Sequence, residues 1–328
     1  MIAVAAVFGG MVAAQAAGID AFGTIGRWTD EVFHFVPSAD ENNQATGAYA
    51  GENAPEYSDL REALASLEID ESLAPTWFPN GFEAGNLEVV SSSVSDIVNF
   101  VASSENGTTF SLDIIRYTSA DYLSGTQFEK DTENIEQYSN DQQTFYILSN
   151  VDTIIATWSD GLIVEQITGN ISDEYMKKII DSIGGYNLKR ICASFLAIVM
   201  LFATYGYASA VNVTSSRASL TLSRYFAEAL TGSGRGEIII SYDVKSSKIA
   251  TSVGVESIVF YTEDGDYVTS VSGSTRNGLV KTNNDNNAGD FKYDLPSGKY
   301  YYAEVTVFAR VGSDYDSRTV TTSTVWVR

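Results

Sequence analysis

Short apolar runs separated by polar turn residues fill the stretch from about residue 86 to residue 168. It divides into short runs rich in Val, Ile, Phe and Thr: LEVVSSS, DIVNFVAS, TTFSLDIIRY, QTFYILS, DTIIATW and LIVEQIT. Runs of this length and composition between turn residues are typical of strands. The pattern therefore predicts an antiparallel sheet, in which Ser159–Gly161 closes a hairpin.

Two segments on either side of these runs have apolar residues at helical spacing. In the first, Ser58 is the expected N-cap, and the apolar positions are Leu60, Ala63, Leu64 and Leu67. In the second, Ser172 is the expected N-cap, Gly184 and Gly185 end the helix, and the apolar positions are Tyr175, Ile179, Ile180 and Ile183. Residues 57–186 are therefore predicted to form an α+β domain: a helix, an antiparallel sheet and a closing helix.

The chain after residue 210 shows strand patterns only. Its runs are rich in Val, Ile, Thr and Tyr, Asp264 and Gly265 mark a hairpin turn, and KYYYAEVTVFARV alternates over most of its length. Strands at this spacing without helices predict an all-β sandwich of immunoglobulin-like type over residues 211–328, without the disulfide of that fold.

Two further segments are apolar throughout, and we predict apolar helices at about 1–18 and 191–208. Residues 1–18 contain no charge before the polar segment and are interpreted as a membrane anchor, with a buried N-terminal helix as the alternative. Residues 19–56 then form a juxtamembrane segment and a polar linker.

Residues 187–210, NLKRICASFLAIVMLFATYGYASA, form a signal-peptide-like or transmembrane helix in the middle of the chain. Lys189 and Arg190 precede the apolar run, and the Ala208–Ala210 ending predicts signal cleavage after Ala210. With two spanning segments, the two halves cannot both lie on the outer side of the membrane. We therefore hypothesise a fused reading frame, in which two exported proteins join at about residues 186–189.

The distribution of charge supports a boundary at the same place. The whole chain carries a net charge of -22. Residues 1–188 hold 29 acidic and 6 basic residues, whereas residues 189–328 hold 13 acidic and 14 basic residues. Such a change predicts two independent units, and the acidic half should repel nucleic acid.

Few residues offer recognisable chemistry. The only cysteine, Cys192, lies in an apolar run, and the only histidine, His34, lies in the aromatic stretch EVFHFV. These counts exclude a disulfide framework and histidine metal clusters, and we expect no catalytic residues, metal or cofactor. Glu263, Asp264 and Asp266 lack the ligand spacing of a calcium loop, so a plain hairpin turn is the favoured interpretation.

Aromatic residues provide the remaining candidates for a site. Trp77, Trp158 and Tyr301 are possible members of a platform on which a sugar would stack, although a core position is the commoner role for a Trp in a strand. Tyr301 is flanked by Tyr300 and Tyr302, and alternation along a strand should expose at least one of the three rings.

The first half resembles the domain of unknown function 4367 family of Gram-positive bacterial membrane proteins. The resemblance covers about residues 1–186 and depends on AAGIDAFGTIGRWTDEVFHF, YSDLREALASLEIDESLAPTWFPNGFE, ATWSDGLIVEQITG and ISDEYMKKIIDSI. It implies one membrane span with this domain outside the cell. Some members share the layout of anti-sigma factors, but we interpret this chain as departing from them by lacking a cytoplasmic part, which does not favour that role. The second half resembles small secreted Gram-positive proteins with a signal peptide.

These observations favour a non-enzymatic protein of the cell membrane, with its domains facing outside. If residues 187–210 are a signal peptide, we expect the second half to be secreted. The first unit would have a sensing or protein-interaction role. The expected partners are an unknown protein or a cell-wall glycan, and the apolar helices would contact the membrane. The alternative function is a cell-wall or carbohydrate-binding module, and a hydrolase with an acid pair is a third, unsupported by any motif.

Overall fold

A computed structural model describes residues 24–28, 32–37, 57–130, 135–140, 143–150, 152–184, 219 and 221–328. Within the first two ranges it describes the backbone and the side chains of Phe33 and Phe35. We refer to residues 24–184 as the first unit and to residues 219–328 as the second unit. Ala210, Cys192 and the predicted apolar helices at about 1–18 and 191–208 lie outside the described residues.

The first predicted helix is confirmed as α1, Leu60–Ser66, but its N-cap is Asp59 rather than Ser58. The Asp59 carboxylate accepts the backbone N–H of Glu62 at 2.9 Å. Ser58 instead donates its N–H and its hydroxyl to the Glu62 carboxylate, at 2.8 and 2.6 Å. This reciprocal pairing satisfies the free backbone groups at the start of the helix.

The closing helix, α3, spans Asp173–Asp181, and Ser172 caps it as predicted by accepting the N–H of Tyr175. The buried residues on its inner face are Met176, Ile179 and Ile180, and Ile183 follows them into the core. Tyr175, predicted to face the core, is 38% exposed. One further helix, α2, spans Ala120–Gly125.

Strands make up most of the described chain. In the first unit they are β1 Thr24–Trp28, β2 Val32–Pro37, β3 Phe82–Ser91, β4 Ser95–Ser104, β5 Thr109–Tyr117, β6 Gln127–Glu129, β7 Glu136–Ser139, β8 Thr144–Asn150, β9 Thr153–Asp160 and β10 Ile163–Gly169. In the second unit they are β11 Leu222–Thr231, β12 Glu237–Ala250, β13 Ser252–Thr262, β14 Tyr267–Ser272, β15 Val280–Lys281, β16 Asn284–Asp294, β17 Lys299–Val311, β18 Asp314–Thr321 and β19 Val325–Val327.

These strands form three antiparallel sheets. The seven-stranded sheet has the order β3-β4-β5-β10-β9-β8-β7, and the outer sheet has the order β14-β13-β17-β18, with β15 and β19 at its margins. The predicted hairpins are confirmed: β9 turns into β10 at Gly161, with φ 57°, and β13 turns into β14 at Gly265, with φ 86°. Both turns need a left-handed residue, which glycine supplies without strain.

The third sheet contains strands of both units and is called the shared sheet. Its order is β1-β2-β6-β11-β12-β16, so three strands of the first unit extend a sheet of the second. The junction is short: β6 pairs with β11 through Phe128 opposite Arg224 and Gln127 opposite Tyr225. The charge boundary predicted two units but gave no indication of this joint sheet.

The order of the layers follows from the residues that form the core between each pair of layers. Helices α1 and α3 cover one face of the seven-stranded sheet over a core that includes Leu64, Ile114 and Ile179. The shared sheet and the outer sheet enclose a second core, which includes Ile240 and Val305. The other face of the seven-stranded sheet meets the shared sheet. Helices, seven-stranded sheet, shared sheet and outer sheet are therefore stacked in that order.

The predicted fold class is wrong as a whole. The described residues are mainly strands, with short α-helices of 7, 6 and 9 residues. In these ranges no helix combines the length and the apolar character needed to cross a bilayer. The predicted immunoglobulin-like sandwich is also not self-contained, because one of its sheets continues into the first unit. Sheet pairing between residues distant in sequence leaves no periodic signal, so the local pattern could not show it.

A buried ionic centre between the two units

A row of polar side chains crosses the face of the seven-stranded sheet that meets the shared sheet. On β5, Asp113 lies between Leu112 and Ile114, which point into the core on the helix side. Alternation along the strand therefore directs Asp113 to the opposite face. The residues paired with it on the neighbouring strands are Asn99 of β4 and Gln166 of β10. The Asn99 amide donates to Asp113 Oδ1 at 2.6 Å.

The shared sheet presents charged side chains to this row. They are Arg224 of β11, Asp243 and Lys245 of β12, and Asp285 of β16. The β-bulge between Leu222 and Arg224 changes the phase of β11. Leu222 therefore enters the core of the second unit, while Arg224 points the other way. We call Asp113, Arg224, Asp243, Lys245 and Asp285 the buried ionic centre.

Arg224 is the largest fully buried side chain of the described residues and joins the two units. Its Nη1 donates to Asp113 Oδ2 at 2.8 Å and also to Gln166 Oε1. Its Nε and Nη2 donate to the two oxygens of Asp243, at 2.7 and 3.2 Å. A planar guanidinium suits this arrangement, because its donors form a fixed fork that matches a carboxylate.

Lys245 makes a second connection between the units. Its Nζ contacts Asp113 Oδ1 at 3.1 Å and Asp285 Oδ2 at 2.6 Å. Its side chain is fully buried, and those of Asp113 and Asp285 are 1% and 5% exposed. Asp113 of the first unit thus lies between two cations of the second. Each of these cations also has an acidic partner in its own unit.

The electrostatics of the centre depend on this contact. Burial would raise the pKa of the Asp113 carboxyl, but the charges of Lys245 and Arg224 and the hydrogen bonds from Asn99 and Arg224 outweigh it and lower the pKa. Burial likewise acts to lower the pKa of Arg224, whereas Asp243 and Asp113 raise it. Asp113 and Arg224 therefore stay ionised at neutral pH. The Asp113 charge is compensated by cations only while the two sheets are packed together.

Further ionic and polar contacts join the units around this centre. Lys281 pairs with Glu88 and Lys248 pairs with Asp152, both at partly exposed positions. Arg318 Nε lies 2.7 Å from Oε1 of Glu129. Ser93 donates its N–H and its hydroxyl to the Asp290 carboxylate, with the hydroxyl contact at 2.6 Å.

Apolar packing completes the interface. Phe33, Phe35 and Phe128 form a cluster of edge-on rings, with the Phe33 and Phe35 centroids 5.0 Å apart. Across the units, Tyr122 meets the Phe226 ring edge-on at 6.0 Å. A side chain at Gly125 would approach the Phe226 ring to 3.1 Å, so glycine permits the close contact here.

The predicted aromatic platform is not assembled. Trp77 and Trp158 are half-buried over the core between the helices and the seven-stranded sheet, where Trp158 stacks on Phe145 at 6.3 Å. Tyr301 is 1% exposed in the core of the second unit, and its hydroxyl donates to the Pro296 carbonyl at 2.8 Å. Two sheets separate Tyr301 from the tryptophans. Its neighbour Tyr300 is 44% exposed, as the alternation required of one ring.

Sequence reasoning did not identify the members of the buried ionic centre. A signal was present, because Asp113, Arg224 and Lys245 interrupt otherwise apolar strand runs in TFSLDIIRY, LSRYFAEAL and IIISYDVK. Charged residues in such strands are rarely buried unless they are paired. Among the described residues, no group of three or more His, Cys, Asp or Glu is arranged to hold a metal ion.

Comparison with known protein families gives a match within the first unit. Residues 72–183 match the family described as Domain of unknown function (DUF4367), which confirms the resemblance for this segment. The matched range includes Asn99, Asp113 and Gln166 and excludes the second unit. No curated protein matches the chain.

Proposed function

We propose, with the DUF4367 match as premise, that this chain is a non-enzymatic extracytoplasmic protein that acts through protein interaction. In this proposal the first unit recognises the second unit through the sheet face that carries Asp113. The observation that supports it is the buried ionic centre, in which Arg224 and Lys245 of one unit converge on a single carboxylate of the other.

Recognition suits the chemistry of these contacts. A buried ion pair contributes little net stability compared with apolar packing, but a partner without matching charges leaves buried groups uncompensated. Such an arrangement therefore discriminates between surfaces. Asp113 and Gln166 fix the position of the facing sheet, since both accept hydrogen bonds from Arg224, and Asn99 orients the Asp113 carboxylate for this contact.

The test is reversal of the central charge in the full chain. Asp113→Lys would place a third cation against Arg224 and Lys245, so we expect the units to separate and the radius of gyration in small-angle X-ray scattering to increase. Asp173→Lys is the matched control, because it makes the same charge change on the exposed face of α3. An Asp113→Lys chain as compact as the control would contradict the proposal.

A carbohydrate-binding role is the second candidate, supported by exposed rings on the outer sheet. Tyr300 and Trp326 are 44% and 42% exposed, and their centroids lie 4.9 Å apart on paired strands. Tyr261 and Tyr302 stack nearby at 5.3 Å. Exposed aromatic faces of this kind are suited to stacking on the apolar faces of sugars.

A peptidoglycan pull-down tests this second role. We expect the full chain to be retained, and retention to be lost when Tyr300 and Trp326 are both changed to Ala. Tyr175→Ala, which removes an exposed ring of the first unit, is the control. Retention that is equal for all three proteins, or absent from all, would reject the outer sheet as a sugar platform.

A further inference from the structure

We infer that the second unit is a non-covalent partner of the first, so that the two remain one complex when the chain is cut between residues 185 and 218. This inference rests on the proposed function and deepens it, because it names the partner as the β-sandwich of residues 219–328. Every contact that supports it joins residues on opposite sides of residues 185–218.

The ion pairs between the units share one distribution of charge. Among the described residues, each has its acid in the first unit and its base in the second. The pairs are Asp113 with Arg224, Asp113 with Lys245, Glu88 with Lys281, Glu129 with Arg318, and Asp152 with Lys248. Two surfaces of opposite charge attract each other before contact, which is the usual property of separate partners. The charge difference between the halves of the sequence has the sign that these pairs require.

The interface also has the layered character of an interface between separate proteins. Its centre is desolvated, with the Arg224 and Lys245 side chains fully buried. Its margin is wetter, since the Lys248 and Asp152 side chains are 32% and 63% exposed. Buried anchors within a more exposed polar border are typical of protein–protein recognition surfaces.

Main-chain pairing adds a second, independent element. β6 extends the shared sheet at β11, which would otherwise be an edge strand of the second unit. Adding a strand to an exposed sheet edge is a common way for one protein to bind another. The Asn150 side-chain amide reinforces this edge by donating to the Leu222 carbonyl at 2.9 Å.

The experiment uses the full chain with a recognition sequence for a site-specific protease inserted between Ser215 and Ser216. After cleavage in a mild non-ionic detergent, we expect size-exclusion chromatography with light scattering to show both fragments in one species. The species should persist in 1 M salt, because buried pairs are screened far less than exposed ones. Fragments that elute separately at low salt would overturn the inference.

Variants of the cut chain identify what holds the complex. We expect Arg224→Met to weaken association on the order of a hundredfold, since it leaves two buried carboxylates undercompensated. Arg116→Met is the matched control, because the pair of Arg116 with Asp96 lies within the first unit. Equal weakening by both variants would refute a role for the buried ionic centre in association.

The outcome is separable from that of the charge-reversal test. Asp113→Lys is examined in the uncut chain, where the units are tethered and their docking alone is measured. Fragments that separate on cutting, together with an uncut Asp113→Lys chain that opens, would refute the inference and leave the proposed function standing. An uncut Asp113→Lys chain that stays compact would instead remove the proposed function.

Discussion

Two fully buried carboxyl groups lie on adjacent strands of the seven-stranded sheet but on opposite faces. Asp113 of β5 faces the second unit and is surrounded by cations and amide donors. Glu165 of β10 faces the core under the helices, next to Ile114, and neither of its carboxylate oxygens has a hydrogen-bond partner among the described residues. Both carboxyl groups are buried to the same extent, so the difference between their pKa values comes from the charges and hydrogen-bond donors next to each.

The difference appears in the direction of each pKa. Cations lower the pKa of Asp113 despite its burial, whereas burial alone raises the pKa of Glu165 well above its ordinary value. Asp113 therefore stabilises the fold as a charged group, and Glu165 is tolerated as a neutral one. The same sheet thus separates an ionic interface from an apolar core.

The largest expected effect comes from removing the carboxylate between the two cations. We expect Asp113→Leu to lower the free energy of unfolding by about 3–5 kcal/mol at pH 7, because Arg224 and Lys245 keep buried charges with one partner fewer. Urea denaturation followed by tryptophan fluorescence measures it. Asp173→Leu removes an exposed carboxylate of α3 and should cost less than about 1 kcal/mol. Similar losses in the two variants would show that the centre is energetically unimportant.

A smaller loss of stability is expected when residue 224 keeps its positive charge but loses the forked donors of the guanidinium. Arg224→Lys retains a cation but cannot contact Asp243 through two donors while also reaching Asp113 and Gln166. We expect a loss of about 2 kcal/mol in the free energy of unfolding, the scale of one or two charge-assisted hydrogen bonds. Denaturation of Arg318→Lys, at the margin of the interface, gives the comparison. An unchanged stability in Arg224→Lys would mean that charge alone suffices.

Replacing Glu165 should raise the free energy of unfolding, whereas replacing Asp113 should lower it. Because its pKa is higher in the folded state, its folded form holds a proton that the unfolded chain has released. The contribution of Glu165 to stability is therefore largest below about pH 4.5, its ordinary value, and is lost as the pH rises through the folded pKa. We expect Glu165→Leu to gain about 1–2 kcal/mol at pH 8 and less at pH 5. Thermal melts across this range measure the slope, and a loss of stability at pH 8 would contradict the expectation.

The smallest effect belongs to the exposed margin of the interface. Lys248→Met breaks the partly exposed pair with Asp152 and should change the free energy of unfolding by at most about 1 kcal/mol. The effect should disappear in 1 M salt, where the Debye length is about 3 Å. Denaturation at low and high salt tests this, and a loss that persists at high salt would show that the pair behaves like the buried ones.

Local features of the fold could be predicted because their causes are local. Ser172 caps α3, Gly161 and Gly265 form the hairpin turns, and the apolar runs become strands. Tyr175 shows the limit of this approach, since its helical phase suggested burial and the structure leaves it exposed beside Trp77. The rotation of a helix on its sheet depends on which residues face it from elsewhere in the chain.

The candidate site could not be predicted, for the same reason. The charged residues Asp113, Arg224 and Lys245 interrupt apolar strand runs, but nothing in the sequence shows that they contact one another. Arg224 also changes face through a bulge that leaves no mark in its residue pattern. Trp77, Trp158 and Tyr301 are candidates by chemical type, and chemical type does not reveal that Tyr301 points into the core.

The sequence by itself determined the hairpins, the Ser172 cap of α3, the strand runs and a charge boundary near residue 188, because each depends on neighbouring residues or on composition. Only the tertiary structure decided that the two charge-distinct units share a sheet, and that Asp113 meets Arg224 and Lys245. The physical reason is that stacking brings together side chains more than a hundred residues apart. Their pairing is then enforced by the cost of leaving any one of them buried alone.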